Sequence, residues 1–123
     1  MGLLRTIFAL LLTTGWIAAA EFARNEYLFR ALWVEHFAAL GLQFPSDFLH
    51  TVLWVIWSFL LAVLLFILLR YLRPLGAALL GWFAAFLLLW VALGNFGLLP
   101  LELLIYAVPL SLLETIIAAY LLD

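Results

Sequence analysis

The sequence predicts an all-α, polytopic membrane protein with about four transmembrane helices, and a charged, partly helical extracytoplasmic segment between spans one and two. Three observations predict it. Apolar residues make up 71% of the 123 residues and mean hydropathy is +1.33, far above the roughly 45–50% apolar usage of soluble domains. The few charges gather at a handful of points, leaving long uncharged runs between them. Those runs match the roughly 20 residues that a helix rising ~1.5 Å per residue needs to cross a hydrocarbon core of ~30 Å.

The clearest run is 48–69, without a formal charge between Asp47 and Arg70. The next is 74–95, opened by Pro74 as a first-turn proline and closed by Gly94, Asn95, Gly97 and Pro100 as a turn. Residues 101–122 form another span, apolar along its length except for Glu114. Pro109 should bend that span without ending it, because membrane helices tolerate proline where neighbours satisfy the freed carbonyl. At the N-terminus, Arg5, an apolar stretch and Ala18, Ala19 and Ala20 reproduce the three zones of a secretory signal peptide. The expectation adopted here is a retained, somewhat short first span over residues 3–20, with Arg5 snorkelling to the interface. The whole chain, 1–123, is then a single integral membrane domain.

Segment 21–47 is the only charge-rich stretch. Projected at 100° per residue, Glu21, Arg24, Asn25, Glu35 and His36 share one arc, while Glu26 and Arg30 form an i, i+4 pair on the opposite side. An interfacial helix gathers its polar groups on one face, so this segment is expected to pack partly against protein or to break near Tyr27. Gly41, Pro45 and Ser46 supply the stop and the next helix start. Arg5 precedes span one, and Arg70 and Arg73 sit in the short link between the next two spans. The excess of positive charge on cytoplasmic loops therefore puts both termini in the cytoplasm, with a bacterial inner membrane as the expected location. Trp16, Trp54, Trp57 and Trp90 then lie toward the outer half, and Tyr71 and Tyr120 toward the inner interface.

Composition excludes several functions. The chain has no Lys, and its five Arg face seven acids, so no basic patch exists for nucleic acid. Without cysteine there is no thiolate catalysis, disulfide or Cys-type zinc site. Only His36 and His50 could ligate haem, and they open different predicted helices, so no cofactor, metal or catalytic set is expected. No soluble domain or internal repeat is present. Small four-span transporters of the multidrug type carry an acid in the first span, and residues 3–20 hold none.

Glu114 is the sharpest chemical feature. It lies nine residues from Asp123, about 13 Å into the membrane at ~1.5 Å per residue, where a carboxylate must be neutralised, paired or hydrated. It shares a helical face with Ala107, Ser111 and Ala118, small residues that admit a neighbouring helix. It is either a structural group, hydrogen-bonded to a neighbouring helix or paired with Arg70 near the inner interface, or a proton or cation site. Ala77, Gly81, Ala85 and Ala92, ending at Asn95, form a second small-residue seam for helix packing. The outer segment offers Glu26, Arg30, Glu35 and His36, with His50 opening span two; salt bridges, caps and anchoring are the expected uses. Three functions fit these residues. The leading expectation is an accessory subunit of a larger membrane assembly, with other membrane subunits or copies of itself as partners beside the lipid bilayer. The second is a small oligomeric transporter or channel using Glu114, and the third an intramembrane lipid-modifying enzyme using Glu35, His36 or His50.

Overall fold

The computed structural model describes residues 2–123, and every regular element among them is a helix. We number these α1 (Leu3–Leu28), α2 (Arg30–Ala39), α3 (Phe48–Leu68), α4 (Pro74–Asn95) and α5 (Leu101–Leu122). All except the short α2 are long and apolar enough to cross a membrane. In helices the backbone polar groups pair within their own segment, which is the condition lipid imposes on any spanning structure. Outward faces carry Leu4, Phe8, Leu60, Val91, Ile105 and Tyr120, each more than half exposed. Such faces need an apolar solvent.

The four long helices form an antiparallel bundle in which α1 packs on α3 and α5, α4 packs on α5 and α3, and α3 meets α5 across the centre. Small and hydroxyl-bearing residues fill that centre: Thr13, Thr14, Ser58, Ala62, Ala77, Gly81, Ser111, Thr115 and Ala118 are buried. Lipid tails are as apolar as leucine, so burial alone does not draw helices together in a bilayer; close backbone approach and interhelical hydrogen bonds do. Gly81 marks the tightest approach, because a Cβ there would lie 2.6 Å from Leu65 Cδ2. Trp82 adds a hydrogen bond from Nε1 to Ser111 Oγ at 2.8 Å. Helix α5 passes Pro109 unbroken.

Two details differ from the sequence reading. The first span does not stop at residue 20: the helix continues through Glu21 to Phe22 and then, as a π-helical turn, from Ala23 to Leu28. Three charged residues assigned to the outer segment, Glu21, Arg24 and Glu26, thereby join a candidate span. The seam on α4 also ends early. A π-helical turn over Phe83–Leu87 inserts an extra residue into the repeat, so the buried positions run Ala77, Gly81, Phe86, Trp90, while Ala92 and Asn95 are exposed. A strictly α-helical projection misses that shift.

Gly81→Ala should lower the thermal midpoint in detergent relative to Gly76→Ala. Both gain ~0.5–1 kcal/mol of helix preference, but only the former forces a buried leucine to move, costing about 1–3 kcal/mol. Equal midpoints for the two variants would show that α3 and α4 are not in the close contact described.

Candidate functional site

Glu21 and Arg24 sit three residues apart on the inward face of α1, and Glu114 faces them from midway along α5. Arg24 Nη2 donates to Glu21 Oε1 at 2.5 Å, and Arg24 Nη1 donates to Glu114 Oε1 at 3.3 Å. Asn25 Nδ2 donates to the other Glu21 oxygen at 3.0 Å, and Trp33 Nε1 in α2 donates to Asn25 Oδ1 at 3.1 Å. Below the cluster, Trp16 Nε1 donates to the Glu114 backbone carbonyl at 2.9 Å. All three charged side chains are at most 7% exposed. Glu114 Oε2 is buried and has no hydrogen-bond partner. One guanidinium thus faces two carboxylates, and one carboxylate oxygen is unsatisfied.

The structural pairing expected for Glu114 takes a different form from the one read from the sequence. Arg70 lies exposed in the link between α3 and α4, with its guanidinium 5.4 Å from the Phe66 ring centroid; the partner of Glu114 is Arg24. Sequence distance hid it, since 90 residues separate the two. The signal available was the shared arc of Glu21, Arg24 and Asn25, which follows only if the helix continues past residue 20.

Beside the cluster lies a cavity of about 200 Å³. Glu21, Arg24 and Asn25 form its polar side; Trp54, Trp57, Phe86, Trp90, Leu103 and Ala107 of the spanning helices form its apolar walls. Trp33 and Phe37 of α2, with Phe44 from the following loop, close over it as a three-ring cluster with centroid distances of 5.4–6.1 Å. The wall is continuous: Trp54 meets Trp57 at 5.3 Å, Trp57 meets Phe86 at 5.4 Å and Phe86 meets Trp90 at 5.8 Å. Arg24 lies over the Phe86 ring at 5.2 Å from its centroid, a cation–π contact that fixes the guanidinium against the wall. A cleft between α1 and α3, lined by Ala18, Phe22, Thr51 and Val55, shares Glu21, Asn25 and Trp54 with this cavity. On the other side of α1, a groove lined by Trp16, Ala20, Ala23, Leu110 and Leu113 reaches Arg24 and Glu114.

The other polar residues do not converge on one site. Glu26 and Arg30 form an ion pair at 2.5 Å, with Arg30 half-exposed and also donating to Ser46 Oγ at 3.2 Å. Glu35 and His36 line a depression with Pro100 and Glu102, where His36 Nε2 hydrogen-bonds the Gly97 carbonyl at 2.7 Å. His50 lines the aromatic cavity, and its ring and backbone amide both bond Asp47, the capping residue of α3. Those hydrogen bonds, the ring's first, hold the Asp47 carboxyl below its ordinary range. Glu35 and His36 therefore share no pocket with His50. No group of three or more His, Asp or Glu able to hold a metal exists among the described residues.

Comparison with known proteins adds no relative: no family model, no curated protein and no solved structure matches this chain. Function must be argued from the site itself.

Arg24→Met should be strongly destabilising, by about 3–5 kcal/mol, because it leaves two carboxylates buried without a cation. Adding Glu21→Gln and Glu114→Gln to it should recover most of the loss. Arg30→Met breaks a part-exposed pair and should cost no more than ~1 kcal/mol. Thermal unfolding in detergent reads all three, and an Arg24→Met midpoint equal to that of Arg30→Met would show that the cluster does not hold α1 against α5.

Proposed function

We propose that this chain is a small membrane transporter in which Glu21, Arg24 and Glu114 form a proton- or cation-exchanging site beside the aromatic cavity. The observation that carries the reading is the charge imbalance of a buried cluster: two carboxylates share one guanidinium, and Glu114 Oε2 lacks a partner. Ionised throughout, the three groups sum to one negative charge. A medium of low dielectric does not tolerate that excess without a counter-charge. A proton or a bound cation supplies it, and exchanging one for the other is the elementary step of coupled transport. The lateral cleft and the opposite groove offer that step two approaches, one on each side of α1.

The accessory-subunit reading draws on the exposed apolar faces, which serve lipid and a partner subunit alike, so no particular contact favours it. The lipid-enzyme reading draws on Glu35, His36 or His50; Glu35 and His36 share one depression and His50 lines another, so no acid–imidazole set of all three supports it.

Proteoliposomes containing the purified chain and a pH-sensitive dye test the proposal. Under an imposed pH gradient, external cations from a panel running from Na⁺ and K⁺ to small organic ammonium ions should release protons through the wild-type chain. Glu114→Gln should slow that flux at least tenfold, whereas Glu35→Gln should leave it unchanged. Absence of cation-dependent proton flux across the whole panel, or full flux in Glu114→Gln, overturns the reading.

We further propose that both termini face the cytoplasm of a bacterial cell, with α2 on the outer side. Support comes from Arg5, Arg70 and Arg73, which all lie at the end of the bundle opposite α2. Single cysteines introduced at positions 72 and 35 should label from opposite sides of sealed vesicles. Labelling from the same side overturns the arrangement.

A further inference from the structure

Resting on the transport reading, we propose that the ligand of the aromatic cavity is a small organic cation with an apolar or aromatic body, an amine or quaternary ammonium, held with its charge toward Glu21. Size sets the first limit. At about 200 Å³ the cavity falls below the roughly 300–1,000 Å³ of sites for drug-sized ligands, so the body is on the scale of one ring.

Charge sets the second. Arg24 is the arginine lining the cavity, and it is already engaged. Its two terminal nitrogens contact Glu21 and Glu114, and its Cζ lies over the Phe86 ring. His50 is bonded to Asp47, which adds another carboxylate near the mouth. With both acids ionised, Glu21, Arg24 and Glu114 sum to one negative unit, and that is the state that draws in a cation and repels an anion. Glu21 is the acid on the cavity wall, whereas Glu114 lines the opposite groove. Net charge at one is thereby felt at the other through the shared guanidinium.

Wall chemistry sets the third. Trp33, Phe37, Phe44, Trp54, Trp57 and Trp90 surround the space, and aromatic faces carry the negative lobe of the ring quadrupole, which attracts an ammonium centre. An inorganic cation cannot exchange its water for aromatic rings at comparable gain, but a weakly hydrated organic ammonium can. Aromatic walls beside two carboxylates that share one guanidinium distinguish this cavity from an apolar packing defect, which needs neither.

The same chemistry could arrive as a free solute or as the choline headgroup of a lipid entering by the cleft between α1 and α3. Both are organic ammonium ions, and the composition of the membrane distinguishes them.

Equilibrium binding tests the proposal without any need for transport. The full chain in nanodiscs of phosphatidylglycerol is titrated with benzyltrimethylammonium, with benzylsulfonate as the anion of similar shape and with Na⁺ as the cation without a body. Tryptophan fluorescence provides the readout, since four of the six tryptophans line the cavity. The ammonium ion should bind at least tenfold more tightly than the sulfonate, and Na⁺ should not compete with it. Glu21→Gln, which leaves Arg24 and Glu114 as a balanced pair, should weaken binding at least tenfold. Trp54→Leu, at a part-exposed wall position, provides a second variant that leaves the charged cluster whole, and it should weaken binding severalfold. Weaker binding in phosphatidylcholine nanodiscs than in phosphatidylglycerol assigns the site to a lipid headgroup; equal binding assigns it to a free solute.

Equal affinity for ammonium and sulfonate, or unchanged binding in both variants, overturns the inference. Should proton flux pass its test while this one fails, transport stands with an inorganic cation. Should binding hold while flux fails, the cavity is a receptor site, and the transport reading alone is lost.

Discussion

The arrangement of the bundle depends on Arg24 being held between Glu21 and Glu114. In lipid, apolar side chains gain little by leaving one hydrocarbon environment for another, so the contact between α1 and α5 needs a specific anchor. Arg24 supplies one point through Glu114, and the hydrogen bond from Trp16 Nε1 to the Glu114 carbonyl supplies another, two turns toward the start of α1. Two fixed points on one helix face define both rotation and axial register. A buried ion pair is often no more stabilising than a well-packed apolar pair, but removing one partner is costly, and fixing a register is its best-attested use. Its position inside the bundle follows from the neighbours on α5: Ala107, Ser111 and Ala118 leave room for α1 and α4 to approach.

Helix count and the inward face of α5 were legible because hydropathy and charge are properties of individual residues and short windows. The fate of Glu21 and Arg24 was not. A residue-by-residue reading stops a span at the first cluster of charges, since an isolated charge in hydrocarbon is expensive. Here the charges neutralise one another within a turn, and the remaining excess meets a residue 90 positions away. Only a tertiary contact makes it affordable for the helix to continue. Glu114 carried the same difficulty in reverse: its depth was evident, but Arg70 was the one arginine the sequence offered it, because the predicted span leaves Arg24 outside. What separates them is that Arg24 shares a helix face with Glu21, whereas Arg70 lies in a link that faces outward.

The cavity follows from how the outer end of the bundle is closed. After Leu28 the chain turns into α2, a helix whose polar groups do not gather on one face, and then crosses back through Gly41 in the left-handed region, at φ +75°. That crossing brings Phe44 against Trp33 and Phe37. The three rings cap the bundle, and α2 is tied down on either side of them. His36 is fastened to the Gly97 carbonyl, Arg30 to Ser46, and Trp33 to Asn25. Space remains beneath this cap between the aromatic walls, and its polar side is supplied by the cluster already fixing α1.

Both π-helical turns among the described residues belong to this same place. One, Ala23–Leu28, contains Arg24; the other, Phe83–Leu87, contains Phe86; and these two side chains stack on each other. An inserted residue costs hydrogen-bond geometry and is rarely kept without a local use. On α1 the insertion carries the buried face from Arg24 to Phe29, five positions on, so that the charge and the ring closing above it both point inward. On α4 it carries the buried face from Gly81 to Phe86, also five positions on, which replaces the small-residue seam with a ring. Without the first insertion the chain beyond Arg24 would turn its polar side to lipid. Without the second, an unbroken α-helical repeat from Gly81 would put Ala85 and Ala92 on the seam in place of Phe86 and Trp90. The two irregularities are therefore one feature of the structure: each spends helical regularity at the level where a charged group and an aromatic wall must meet.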